Sequence, residues 1–390
     1  MADSNKYLLV LSGATAVGKT TTAVELARHF RTEIVSADSR QFYREMEVGT
    51  AKPTPAEMGE IPHHFIDSLS VHDTYTVGDY ERECLALLDR LFQRHDLVIL
   101  TGGSGLFIDA VTRGLDKFPE VPDPVKRRVE LDYNEHGLPF LQVELQRTDP
   151  TYYEEVDLQN PARLIRALSV IRASGQPFSS FRRGSYAERP FTPIYINLVR
   201  PREALYARIE QRVDQMMEAG LLEEAFDLAP HQDLVPLQTV GYQEWWPHFK
   251  GKQSKEETVE LIKRNTRRYA KRQLTWFRRA LYWKHFTPHP DSLPRIIGYV
   301  TAFMQAGLRI HRMSEAEAKR QMPQLTPSPY LRLVGAWSQE KFVGAAILAK
   351  RSGAFQFQEV VLADGLPDPM KQVLAEFLQE EAELISPEAT

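Results

Sequence analysis

Three short apolar runs, Tyr7–Leu11, Glu33–Ser36 and Leu97–Leu100, alternate with stretches of helical period at Thr20–Phe30 and Tyr75–Gln93. Apolar runs of this length suit strands buried on both faces. The alternation therefore predicts an α/β core, a parallel sheet with helices on its faces. A fourth run, Ile194–Val199, lies far downstream. Between the third and fourth runs, residues 116–190 change texture. Pro119, Pro122 and Pro124 open this segment, and "PVKRRVELDYNEHG" and "NPARLIRALSVIRASG" then read as helices, the second ended by Gly175 and Pro177. The pattern predicts a helical insertion at 116–190 that splits the core into 1–115 and 191–304.

Two long helical runs follow the fourth strand, "REALYARIEQRVDQMMEAGLLEEAFDLA" and "SKEETVELIKRNTRRYAKRQLTWFRR". A further helix, "SLPRIIGYVTAFMQAGLRI", precedes the proline-punctuated link "MPQLTPSPY". Alternating positions in "LRLVGAWSQEKFVGAAILAKRSGAFQFQEVVL" then predict two or three hairpin strands, with an acidic helix near 367–384. Residues 305–390 are expected to form a small α+β extension, an accessory domain of no assigned role.

Composition narrows the function classes only modestly. The chain has 390 residues, 43% hydrophobic and 26% charged, which is ordinary for a protein that buries a core. A net charge of −4 excludes a general polycation, so any nucleic-acid contact must come from a local basic patch. Cys84 is the only cysteine, which excludes internal disulfides and multi-cysteine zinc modules. It lies in the amphipathic run "YERECLALLDRLF" and reads as a small buried hydrophobe. With no long apolar run either, the chain is expected to be cytoplasmic, monomeric and without a membrane partner.

The first strand and helix enclose chemistry. Gly13, Ala14, Thr15, Ala16, Val17, Gly18, Lys19 and Thr20 satisfy G-x-x-x-x-G-K-[ST], a phosphate-binding loop of the P-loop NTPase kind. Its backbone N–H groups and the following helix end favour an anion, Lys19 would reach the terminal phosphate, and Thr20 would hold Mg²⁺. A phosphoryl-transfer enzyme usually adds a strand-end carboxylate for the metal, but the Leu97–Leu100 run ends in Thr101-Gly102-Gly103-Ser104-Gly105. The nearest strand-end acid is Asp38. A general base and a helix N-cap suit Asp38 equally well. The paired His63-His64 read as hydrogen-bonding loop residues, because adjacent side chains point apart.

"SGATAVGKT", "SADSRQFYREMEVGTAKP", "PHHFIDS", "TGGSGLFIDAV", "NPARLIRALSVI", "LQTVGYQEWW" and "NTRRYAKRQLTWFRR" occur in this order. In this the chain resembles the tRNA dimethylallyltransferase (tRNA isopentenyltransferase) family over roughly residues 5 to 300. The resemblance implies a P-loop core with a helical insertion, acting on dimethylallyl diphosphate and the tRNA anticodon stem-loop. The prenyl group would pass to N6 of the adenosine 3′ to the anticodon. It further implies Asp38 as base and Thr101 as a hydrogen-bonding partner near the amine. Asp38, Ser39, Arg40 and Gln41 correspond to the segment that reads the displaced nucleotide, and Arg163 and Arg166 to a stretch on the stem-loop.

Lys263, Arg267 and Lys271, beside Arg264, Arg268 and Arg272, form two i, i+4 series on one helix with no acid between Leu261 and Lys284. They are expected to contact the tRNA backbone, and Gln273 is grouped with them. Three other readings compete: a prenyltransferase of free adenine nucleotides, a small-molecule P-loop kinase, and a non-enzymatic RNA binder. The first lacks a use for the basic helix, the second lacks a strand-end acid, and the third leaves Asp38 unexplained. The stretch after 305 weakly resembles the early strands of an acyltransferase-like fold, without that fold's phosphate loop.

Overall fold

The computed structural model describes residues 6–182, 187–280, 282–289, 291–306, 309–322, 331–338, 341–351, 354–362, 371, 374–375 and 378–379. Of the predicted acidic helix near 367–384, residues 371, 374–375 and 378–379 are described and are helical; its other positions and most of the "MPQLTPSPY" link lie outside the described residues. The chain divides into two compact units, Arg113–Glu188 and the remainder. The C-terminal residues expected as a separate accessory domain belong to the larger unit.

In the larger unit the chain runs β1 (Tyr7–Gly13), α1 (Lys19–Phe30), β2 (Ile34–Ser36), α2 (Pro55–Met58), β3 (His63–His64), α3 (Val77–Phe92), β4 (Leu97–Gly102) and α4 (Gly105–Arg113). The insertion contributes α5 (Asp123–Thr148), α6 (Pro150–Glu155) and α7 (Pro161–Ser174). The core resumes with β5 (Thr192–Leu198), α8 (Arg202–Glu218), α9 (Leu221–Leu228), α10 (Trp245–Phe249), α11 (Lys255–Arg279), β6 (Lys284–Phe286) and α12 (Ser292–Ala306). Then follow β7 (Arg309–Arg312), α13 (Glu315–Gln321), β8 (Leu331–Ser338), β9 (Lys341–Arg351) and β10 (Ala354–Leu362).

Six strands form one parallel sheet in the order β3-β2-β4-β1-β5-β6. The four anticipated strands are its centre. The two edges, β3 and β6, have too few apolar residues to show in the sequence pattern. Alternation of side chains along the strands divides the core. Leu9, Leu11, Ile99, Ile194 and Ile196 pack on the α1 and α12 side, whereas Leu8, Val10, Val98 and Leu100 pack against α3 and the aromatic cluster of Tyr242, Trp245 and Phe277. Cys84 is buried in this second layer, and burial pushes its thiol up to about 12.

Two stretches read as single helices are each divided. Gly220 at φ 99° separates α8 from α9, and the chain leaves α12 at Ala306 to enter β7, taking Arg309 and Ile310 into a strand. In the insertion, Gly137 at φ 75° and Pro139 kink α5. That unit's core is Val129, Leu141, Leu145, Leu164 and Leu168. There Arg172 bridges Asp132 at 2.6 Å and Glu144 at 2.5 Å. The β7–β10 strands make a four-stranded antiparallel sheet whose Val334, Ala336, Val343 and Ala346 share a core with Tyr299, Val300 and Phe303 of α12. This covering of α12 explains why the extension joins the larger unit.

The carboxyl ends of β1, β2 and β4 converge where an open α/β sheet binds ligands. At Gly102, ending β4, an added Cβ would stand 2.3 Å from the Ala37 carbonyl oxygen and 2.4 Å from its carbon. Both are backbone atoms, so no side chain can yield. Gly102→Ala is expected to destabilise the protein by about 1–3 kcal/mol. Urea unfolding checks this, and an unchanged midpoint would show that the Ala37 backbone gives way freely.

Candidate active site

The loop after β1 reverses over left-handed backbone at Ala16 (φ 62°) and Gly18 (φ 116°). Gly13 is obligatory by space as well as angle, since a Cβ there would lie 2.6 Å from the Leu198 carbonyl oxygen. Loop carbonyls are taken up by arginines: Arg200 Nε donates to Val17 O at 2.8 Å and Arg208 Nε to Ala16 O at 2.9 Å. Lys19 Nζ donates to Gly13 O at 3.0 Å and Ala14 O at 2.9 Å, so its ammonium sits within the loop.

Positive charge is concentrated here beyond what the motif supplies. Arg208 and Arg212, four apart on α8, line the same cavity as Lys19, Thr20, Asp38 and Thr101. Burial lowers Arg212 below the usual guanidinium range, and the nearby Arg208 lowers it further, with Glu57 and Asp38 opposing. Arg200 is lowered by burial and by Arg208 as well. Crowded, partly desolvated cations of this kind are relieved by an anion. Sequence reasoning missed all three arginines. The available signals were Arg208 and Arg212 in "RIEQR" and Arg200 directly after the β5 run.

Asp38 follows β2 and lines the cavity. Its Oδ1 accepts from Arg40 N at 3.1 Å, an Asx turn. The segment continues in turns, and no helix begins until Pro55, so the helix N-cap alternative is corrected. Burial of Phe42 and Tyr43 pulls this stretch inward in place of a helix. Among the described residues Oδ2 accepts no hydrogen bond. Thr101 Oγ1 donates to Leu11 O at 3.0 Å across the strand ends, leaving its oxygen as an acceptor toward the cavity it lines. Ser39 N donates to Ser104 Oγ at 3.2 Å, tying the Asp38 turn to the loop after β4. Tyr269, whose phenol is raised to about 12 by burial and by Asp38, completes this wall from α11.

The structure sorts the expected RNA contacts. Arg264, Arg268, Lys271 and Arg272 are exposed on α11. Lys263 and Arg267 are not part of that open stripe, because α8 supplies Asp214 at 2.7 Å and Glu210 at 2.6 Å. Acids distant in sequence were invisible to the local charge count. Gln273 is 5% exposed and is not a surface contact. Its Oε1 accepts from Thr15 N at 2.9 Å and its Nε2 donates to Gly103 O at 3.0 Å, joining the phosphate loop to the loop after β4. A Cβ at Gly103 would meet Nε2 at 2.2 Å, so the Gln273 carboxamide could not keep this position beside a side chain there. Arg163 and Arg166 lie exposed on α7 within the second unit. His63 and His64 form the short β3, where His64 Nε2 meets Glu33 Oε2 at 2.7 Å.

The IPP transferase family model matches residues 41–280. The chain belongs to the IPP transferase family. A Cytophaga hutchinsonii protein named tRNA dimethylallyltransferase is 45% identical over 305 residues, 78% of this chain and 100% of that one. A Christiangramia forsetii protein of the same name is 48% identical, over 74% of this chain and 96% of that one. Among solved structures, the full-length tRNA isopentenylpyrophosphate transferase of Bacillus halodurans matches with TM-score 0.58 and 34% identity. That match covers 77% of this chain and 97% of that one.

The phosphate loop of this IPP transferase family member carries its own pH signature. Burial lowers Lys19 to about 8, with Asp38 opposing and Arg212 assisting. Only the ammonium attracts an anion, so pyrophosphate affinity is expected to be full below that value and to fall as pH rises through about 8. Calorimetric titration on both sides of it checks this. Lys19→Arg, whose charge persists, should lose that step.

Proposed function

We propose that this chain transfers a dimethylallyl group from dimethylallyl diphosphate to N6 of the adenosine 3′ to the anticodon of tRNA, releasing pyrophosphate. We place it in the cytoplasm as a monomer. Among the described residues no helix is long and apolar enough to cross a membrane. The observation that carries the reading is the placing of opposite chemistries on one cavity of about 860 Å³: Lys19, Arg208 and Arg212 for an anion, Asp38 for a proton, and Val213, Met216, Val240 and Ile262 as apolar wall. The names of the relatives and of the solved structure agree with it.

The exocyclic amine of adenine is a weak nucleophile, so the reaction depends on the leaving group and on proton removal. The C–O bond to the diphosphate breaks as the C–N bond forms, and the electron pair leaves on the diphosphate. Loop amides, Lys19 and the α8 arginines meet that charge where it develops. The proton on N6 passes to Asp38, while Thr101 accepts a hydrogen bond from the amine and orients it. Among the described residues no cluster of His, Cys, Asp and Glu suited to a metal occurs. The donor set therefore suits a Mg²⁺ held mainly by diphosphate oxygens and water, with the Thr20 hydroxyl as the protein's share. When bound, that ion adds positive charge at the leaving group. The exposed Arg264, Arg268, Lys271 and Arg272 would hold the RNA backbone, which favours a polyanion over a free nucleotide.

Incubation with dimethylallyl diphosphate, Mg²⁺ and undermodified tRNA, followed by mass spectrometry of the nucleosides, should show one prenyl gain on adenosine. A gain on free adenine nucleotide alone, or loss of the γ-phosphate from ATP, would overturn the proposal. Asp38→Asn retains the oxygen that caps Arg40 N but not the base. It should lower kcat by about 10²–10⁴-fold while tRNA binding stays near wild type. Equal loss of both would make Asp38 a structural cap.

A further inference from the structure

"LQTVGYQEWW", residues 237–246, has so far supplied only Val240 to the cavity wall, yet Tyr242 within it is 0% exposed and meets a carboxylate. Glu224 of α9 receives four donors. Its Oε2 accepts from Glu47 N at 2.9 Å and Val48 N at 2.7 Å, and its Oε1 from Gly49 N at 2.9 Å and Tyr242 OH at 2.6 Å. Three successive amides converging on one carboxylate make an anion nest occupied by the protein itself. These amides lie outside any helix or strand, and Glu224 is the acceptor that the protein itself gives them.

Steric fit is equally tight. A Cβ on Gly49 would fall 2.5 Å from Tyr242 Cζ, and one on Gly241, at φ 101°, would fall 3.2 Å from Gly49 O. The two loops therefore pack backbone against ring and backbone against backbone. Residues 47–52 form one wall of the active-site cavity, and Thr239, Val240 and Gly241 adjoin it.

The consequence reaches Gln41. Its Nε2 donates to Thr50 O and Ala51 O, each at 3.3 Å. Two carbonyls face the same end of the carboxamide, so that end must be the nitrogen, and the oxygen is the group Gln41 presents to the cavity it lines. A carboxamide fixed this way accepts a hydrogen bond from a base and does not donate one.

We propose that Glu224 is a positioning residue: with Tyr242 it clamps the 47–52 loop, and through Thr50 and Ala51 it sets Gln41 as an acceptor for the target nucleotide. This rests on the prenyl-transfer reading. Glu224→Gln places an NH₂ against backbone N–H groups, so at least one donor loses its acceptor. Tyr242→Phe keeps the ring packing and removes one donor.

In Glu224→Gln, amide hydrogen exchange at 47–49 should accelerate, and kcat/KM for tRNA should fall by about 10- to 100-fold. KM for dimethylallyl diphosphate should stay within about twofold, because the phosphate loop and α8 arginines are untouched. Tyr242→Phe should give the same split at smaller size, and serves alone if Glu224→Gln fails to fold. In a Gln41→Ala background the Glu224→Gln change should add little further loss. Fully additive losses, equal changes in both KM values, or unchanged kinetics with unchanged exchange would overturn the clamp. Absence of prenyl transfer by the wild type would instead overturn the proposed reaction, and the exchange measurement would still decide whether Glu224 holds the loop.

Discussion

One carboxamide holds this site together. Gln273, on the buried side of α11, must satisfy an amide of the phosphate loop and a carbonyl of the loop after β4 at once. Few side chains carry a donor and an acceptor on one rigid group, and burial makes each unmade bond costly. The approach is possible because Gly103 has no side chain. It fixes how closely α11 packs on the sheet, and thereby where Tyr269 stands relative to Asp38.

Around that contact the molecule separates its charges. The chain is acidic overall, yet Lys19, Arg200, Arg208 and Arg212 surround one loop, and burial first, with a neighbouring arginine second, lowers the proton affinity of Lys19, Arg200 and Arg212. On α11 the opposite adjustment occurs. Lys263 and Arg267 are compensated by Asp214 and Glu210, while Arg264, Arg268, Lys271 and Arg272 remain exposed. The cavity is poised for a compact anion and the outer stripe for an extended one. A single helix serves both, with its buried face on the catalytic loops.

Glycines stand where the loops around the cavity make their closest approaches. Gly102 lies against Ala37, Gly103 against Gln273, and Gly49 against Tyr242. Each is a place where one loop around the cavity is registered against another, and at each a methyl group would displace polar groups by tenths of an ångström or more.

Much was legible in the sequence because it is local. The central strands follow from runs of apolar residues and the phosphate-loop motif from glycine spacing. The edge strands β3 and β6 were not, since strands of two and three residues leave no period to detect. Long-range pairing was equally hidden. Nothing near Lys263 announces Asp214, nothing in "RIEQR" points at residue 16, and a lone glutamine in a basic helix reads as surface. Sequence alone determined where the phosphate-loop motif lies and which helix would carry positive charge. Only the tertiary structure decided which of those charges stay open, that Gln273 faces inward, and that Asp38 shares a cavity with Lys19, Arg208 and Arg212. Periodicity and motif spacing act within a few turns of chain, whereas compensation of charge and satisfaction of buried amides depend on whatever element packs opposite.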